Sequence, residues 1–241
     1  MVISNETNLI VSLMDLTSLN ESDDYSVMNE LVTKSTNPIA NVAAVCVYSK
    51  FVEYLKPKLD PEIALATVIN FPQGINSLLT VEKEIKDALK SGADELDLVI
   101  HYHDYIHQGE SKNAIEMVQM AKDLCQKHKL KVIIESGELS SKLIAMISKD
   151  MIKAGADFLK TSTGKTPVGA TLEAAKIMLK AIAQSGATVG FKASGGIRTL
   201  TEAQAYVDLA RLICGDGYIN KKYFRFGVSG LLDNILDIQK P

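Results

Sequence analysis

Two hydrophobic periods alternate along this chain. Short, nearly continuous apolar runs occur at 42–48 (VAAVCVY), 64–71 (ALATVINF), 95–102 (ELDLVIHY), 131–136 (KVIIES), 157–162 (DFLKTS) and 188–194 (TVGFKAS). Runs of this kind mark parallel strands covered on both faces. Two weaker candidates follow, 211–215 (RLICG) and 223–229 (YFRFGVS). Between the runs lie amphipathic stretches at helical spacing, such as SLLTVEKEIKDALKSG and SSKLIAMISKDMIKAG. Some carry Ser or Thr at the start and Gly at the end, the usual helix boundaries. SGADELDLVI and KAGADFLKTS resemble each other, each closing a helix at Gly and opening a strand after Gly-Ala-Asp. The rhythm is that of repeated βα units. The α/β fold expected is a (β/α)8 TIM barrel, with 7–20 (TNLIVSLMDLTSLN) as an extra N-terminal helix; a doubly wound open sheet is the alternative.

With 241 residues, one large barrel domain over 1–241 is long enough to bury its own core without metal or disulfide staples. No Pro/Ser-rich linker or composition shift divides it. A net charge of −3 gives no global attraction to nucleic acid or an anionic membrane, so neither is expected as a partner. The start lacks a signal peptide's basic and apolar blocks. No apolar run approaches the ~18–20 residues that cross a bilayer. Cys46, Cys125 and Cys214 show no metal-ligand spacing. A reduced, cytoplasmic location is expected.

Barrel enzymes carry their chemistry at the C-terminal strand ends. The polar residues late in apolar runs are Cys46, Asn70, Asp97, Glu135, Lys160 and Lys192, with Asp15 in the preceding segment. Lys160 and Lys192 fall on neighbouring strands, counted fifth and sixth. Burial beside another cation favours the neutral amine, which attacks carbonyl carbon to form a Schiff base. The alternative is a pair of structural salt bridges. Asp97 could relay protons beside a lysine or serve only as its ion-pair partner.

Three glycine clusters follow strands: Gly164 with Lys165, Ser194–Thr199 (SGGIRT) and Phe226–Gly230 (FGVSG). Glycine lets backbone N–H groups approach an anion, so together they predict a phosphorylated ligand. STGKT is not a P-loop, because Leu159 stands where that motif requires glycine. HYHDYIH places His101, His103 and His107 close together, with His101 and His103 expected on one strand face. The chain holds only four histidines, too few ligands for a barrel metal centre, so no metal is expected. Cys46 reads as a small buried hydrophobe.

The phrases LMDLTSLN, AAVCVY, ATVINFPQG, GADELDLVI, KVIIESGEL, KAGADFLKTSTGK, VGFKASGGIRT and FRFGVSG together resemble the deoxyribose-phosphate aldolases, a class I aldolase family. The resemblance implies a (β/α)8 barrel that reversibly cleaves 2-deoxyribose 5-phosphate to glyceraldehyde 3-phosphate and acetaldehyde, without a cofactor. It implies Lys160 as the Schiff-base lysine, Lys192 as the neighbour that depresses its pKa, Asp97 as a proton relay with Lys192, and Asp15 in the surrounding polar network. Cys46 and Thr163 would support the site, and Gly164, Lys165, Gly195, Gly196, Ser229 and Gly230 would bind phosphate. The oligomeric state stays open, with a homodimer considered. Three features depart from the family. Gly230 replaces a second serine, HYHDYIHQGE differs from the usual phrase, and a tyrosine-ended C-terminal tail is expected to be missing after DIQKP. A barrel with transaldolase-like or isomerase chemistry and a non-catalytic sugar-phosphate binder are the rival readings.

Overall fold

The structure, a computed structural model, describes residues 4–238. Eight parallel strands close into a barrel in chain order: β1 (Met14–Thr17), β2 (Ala44–Val47), β3 (Ala64–Ile69), β4 (Glu95–Val99), β5 (Lys129–Ile133), β6 (Phe158–Lys160), β7 (Gly190–Ser194) and β8 (Phe224–Val228). The helices are α1 (Asn5–Ser12), α2 (Tyr25–Ser35), α3 (Val52–Leu55), α4 (Leu78–Lys90), α5 (Tyr102–Gln108), α6 (Lys112–Cys125), α7 (Ser141–Lys153), α8 (Leu172–Ser185), α9 (Leu200–Cys214) and α10 (Leu231–Ile238). This is a (β/α)8 TIM barrel with the extra helix, α1, ahead of its first strand.

Two expectations are corrected. The stretch 7–20 is not one helix: α1 stops at Ser12, Leu13 caps it, and Met14 begins a strand paired to both β2 and β8. The apolar run 211–215 is not a strand but the last turn of α9 and its cap. Losing that strand and gaining β1 leaves eight, but moves Lys160 to β6 and Lys192 to β7. The Ser194–Thr199 and Phe226–Gly230 segments therefore belong to the seventh and eighth strands, where barrels commonly bind phosphate.

Helix starts follow side-chain chemistry. Ser77, Ser111, Ser140, Thr171 and Thr199 each accept a hydrogen bond from a backbone N–H of the first turn. Each such cap stabilises its helix by about 1 kcal/mol. At α9, Glu202 reciprocates to Thr199 in a capping box.

The two Gly-Ala-Asp phrases are structural repeats. Gly92 and Gly155 adopt positive φ (101° and 103°). Asp94 and Asp157 then each accept from the first N–H groups of the strand before, Leu65 N at 2.9 Å and Leu130 N at 2.8 Å. Each carboxylate also pairs with a lysine, Lys56 for Asp94 and Lys122 for Asp157. The repeat ties one strand's start to the next at the N-terminal end of the barrel, away from the strand ends that carry chemistry.

Candidate active site

Charged side chains from six strands meet inside the barrel. Asp15 comes from β1, Glu95 and Asp97 from β4, Lys131 from β5, Lys160 from β6, Lys192 from β7 and Arg225 from β8, none more than 4% exposed. Lys160 Nζ donates to Asp97 Oδ2 at 2.7 Å, and Lys192 Nζ reaches the same oxygen at 2.8 Å. Lys192 also donates to Asp15 Oδ2. Lys131 donates to Asp97 Oδ1 at 2.9 Å and lies 3.1 Å from Asp15. Its 2.7 Å approach to Glu95 Oε2 is an ion-pair contact off the hydrogen-bonding direction. Arg225 closes the lower side, donating to Asp15 Oδ1 and to Glu95 Oε1.

Charge balance decides which amine gives up its proton. Lys131, Lys160, Lys192 and Arg225 face only Asp15, Glu95 and Asp97 in this bundle, all of them buried. Holding every group ionised leaves an uncompensated buried cation, an expensive state. Lys160 is the member with the fewest carboxylate contacts, Asp97 alone. Burial lowers its pKa, Asp97 opposes that, and Lys192 lowers it further. For Lys192 and Lys131 burial also favours the neutral amine, but Asp15 and Asp97 outweigh it and push both upward. The two lysines of the sequence motif are therefore driven in opposite directions. Burial would raise Asp97, yet Lys131, Lys160 and Lys192 hold it well below the usual carboxylate range. Asp15 is likewise held low by Lys131, Lys192 and Arg225 against its burial.

Cys46 is fully buried, with its Sγ 4.0 Å from Asp97 Oδ2. Burial first, then Asp97, pushes its thiol upward, so it is no thiolate. It belongs to a small apolar patch with Leu19, Ala66 and Val68, flanked by Tyr48 and Phe71. One side of the barrel mouth is thus apolar.

Adjoining it at Leu19 is a polar cavity of about 500 Å³. Thr163, Gly164, Lys165, Gly195, Gly196, Ser229 and Gly230 all line it, so the residues expected around a phosphate share one space. Lys165 Nζ donates across the rim to Leu19 O at 2.6 Å. Gly195, at φ +89°, comes within van der Waals reach of Gly164 and Gly169, so a side chain there would strain both loops. Beside Gly230, by contrast, an added Cβ would meet nothing within 4 Å. The first turn of α10 begins at Leu231, a position from which backbone N–H groups favour an anion.

Sequence reasoning missed Lys131, Glu95 and Arg225 in the bundle, and Arg198 on the cavity wall. Lys131 was legible only as a strand's first residue; β5 in fact starts two residues earlier, at Lys129, so Lys131 lies mid-strand, where it is fully buried. The histidines do not share a strand face: His101 caps α5, with Nε2 2.8 Å from Asn76 O, and His103 and His107 lie in that helix. Among the described residues no cluster of metal-ligating side chains forms, and no helix is long and apolar enough to cross a membrane. Gln239–Pro241, the end of DIQKP, lie outside the described residues.

A closed parallel barrel, with buried lysines beneath a polar rim that carries Lys165 and Arg198, defines the class as a TIM-barrel protein. More narrowly, a family model for the DeoC/LacD aldolases matches residues 9–234, and the chain belongs to that family. Its fold is similar to that of a provisionally named deoxyribose-phosphate aldolase from Toxoplasma gondii (TM-score 0.88, 23% identity, covering 96% of this chain and 93% of the other). It is also similar to a provisionally named deoxyribose-phosphate aldolase from Coccidioides immitis (TM-score 0.85, 26% identity, 97% and 87% covered). A third similar structure is QR15, an aldolase (TM-score 0.80, 27% identity, 96% and 99% covered).

Proposed function

We propose that the protein is a Schiff-base aldolase that reversibly cleaves 2-deoxy-D-ribose 5-phosphate to D-glyceraldehyde 3-phosphate and acetaldehyde. The observation that carries this reading is Lys160: buried, driven toward the neutral amine, 2.7 Å from Asp97, and one short loop before the polar cavity. In cleavage, the Lys160 amine adds to C1 of the open-chain sugar, and loss of water gives a protonated imine. Removal of the C3 hydroxyl proton breaks the C2–C3 bond, whose electron pair moves into the iminium to leave an enamine. Glyceraldehyde 3-phosphate departs. Protonation of the enamine carbon and hydrolysis release acetaldehyde and restore the amine.

Asp97, shared by Lys160 and Lys192, is the group placed to pass protons between them. Asp15 keeps Lys192 charged and so reserves the neutral state for Lys160. The cavity loops would hold the phosphate, and the apolar patch beside Cys46 suits the two-carbon end. The scheme requires neither metal nor organic cofactor. Borohydride reduction in the presence of acetaldehyde should add a two-carbon unit to Lys160, read by peptide mass. Full aldolase turnover in EDTA with an unmodified Lys160 peptide would overturn the proposal.

A further inference from the structure

The loop between β6 and α8 carries Thr163, Gly164 and Lys165 into the polar cavity, and its shape is set from both sides. On the β7 side, Thr161 Oγ1 donates to Ser194 O and accepts from Ser194 N, while Ala170 N donates to Ser194 O and Gly195 O. On the β5 side Ser136 N donates to Thr161 O at 2.8 Å, and farther along the loop one carboxylate does the holding. Glu135 Oε2 accepts from Thr163 Oγ1, both of its oxygens lie 3.3 Å from Thr163 N, and Oε1 accepts from Thr166 Oγ1 at 3.2 Å. Thr163 Oγ1 in turn accepts from Lys165 N at 3.0 Å. A chain of hydrogen bonds therefore runs from Glu135 through Thr163 to the backbone of Lys165.

Glu135 itself is fully buried and sits in the left-handed region, φ 53° and ψ 58°. A non-glycine residue there stores strain that the surroundings must hold in place. The next turn packs so tightly that an added Cβ on Gly137 would collide with Val168 O of the same β6–α8 loop. The backbone thus bends to bring a carboxylate against that loop. Burial raises the Glu135 pKa, and the bonds from Thr163 and Thr166 pull it back down. Lys160 further favours the carboxylate, and burial, then Glu135, push the Tyr102 hydroxyl upward.

We propose that Glu135 is a positioning residue for the phosphate cup: by binding Thr163 and Thr166 it fixes the loop that presents Gly164 and Lys165 to the ligand. It touches neither the reacting carbons nor the phosphate. This inference rests on the reading that the cavity takes the phosphate of a sugar substrate, and it names a residue that reading does not require. The expected signature is selective, because the loop serves the phosphate and not the Schiff base.

The test compares wild type with Glu135→Gln on 2-deoxyribose 5-phosphate and on unphosphorylated 2-deoxyribose, together with borohydride trapping of acetaldehyde on Lys160. The amide offers one acceptor oxygen where three donors converge, and sets its own NH2 against them. KM for the phosphorylated sugar is expected to rise about tenfold, the effect of losing a hydrogen bond to a charged group. Turnover of 2-deoxyribose and the acetaldehyde trapping rate, each taken on the pH plateau of its own variant, should stay as in wild type, because losing a carboxylate near Lys160 moves the pH profile and not the plateau. An unchanged preference for the phosphorylated sugar would overturn the inference, and so would an equal loss on both sugars and on trapping. A wild-type enzyme with no preference for the phosphate would remove the reading of the cavity, and the inference with it. Should Glu135→Gln not fold, Thr166→Val removes one donor at the outer end of the same network. It carries the prediction at about threefold, and a wild-type KM in that variant would sink the idea.

Discussion

The charged bundle inside the barrel and the cup at its rim both handle charge, by different means. The bundle uses ionised side chains from six strands, packed until nothing is more than 4% exposed. Its members fix one another's protonation, buried away from bulk solvent. The cup is lined by glycines, small polar residues and cations at the edge, Lys165 and Arg198. It is open to solvent, and its shape depends on loops clamped by neighbours such as Glu135. The difference separates two tasks. A reacting amine needs its pKa tuned by several kcal/mol, which only a desolvated cluster supplies. A phosphate needs a binding place that fills and empties at every turnover, which favours solvated, geometry-based contacts.

Breaking the bundle should have the largest effect. Lys192→Leu removes the cation that presses on Lys160 and a proton partner of Asp97. Turnover should fall on the order of 10²–10⁴-fold, with the rising, low-pH limb of the trapping profile moved to higher pH; a variant with normal turnover and pH profile would contradict this. A subtler pair tests charge balance itself. Lys131→Met deletes a cation that does not touch Lys160, so Lys160 should hold its proton more tightly. Trapping should then demand a pH about one unit higher. Glu95→Gln deletes an anion and should shift the profile the opposite way. Opposite shifts cannot come from general loosening of the core, and two shifts of the same sign would defeat the argument. Both variants should be checked for folding by circular dichroism, since breaking a buried pair costs about 3–5 kcal/mol.

The smallest effect belongs to the rim. Lys165→Ala should raise KM for the phosphorylated sugar about tenfold, as befits a charge-assisted contact, with kcat nearly intact. Wild-type KM should rise with added salt, and the Lys165→Ala variant should respond less, because exposed charges are screened over ~10 Å at 0.1 M. The trapping pH midpoint, set inside the bundle, should hardly move with salt. If it tracks salt as steeply as KM does, the distinction between the two regions collapses.

Much of this architecture was legible in the sequence, for reasons that also explain the errors. Strands buried on both faces read as apolar runs, and lysines inside such runs stand out, which is why Lys160 and Lys192 could be singled out. β1 was hidden because only Leu13 separates it from α1 and both segments are apolar, so one helix explained the stretch equally well. The run 211–215 looked like a strand because Leu212, Ile213 and Cys214 are consecutive; in the helix Leu212 is simply exposed, at 83%. Arg225 was hidden for a different reason. It lies near the start of β8, in a segment that drew attention for its glycines, and its partners Asp15 and Glu95 are distant in sequence. Glu135 was noticed as polar, but its task depends on a backbone bend and on Thr163 and Thr166, which no local pattern announces.

The ion pair between Arg225 and Asp15 joins the last strand to the first across 210 positions of chain. During synthesis, Lys160 is made long before Arg225, and until β8 docks against β1 the bundle stands open to water. In that state Lys160 is an ordinary solvated lysine, protonated and chemically quiet. On the proposed Schiff-base reading, the burial that lowers its pKa arrives with the same event that completes the barrel. On that reading, a half-made or partly unfolded chain exposes no activated amine to aldehydes.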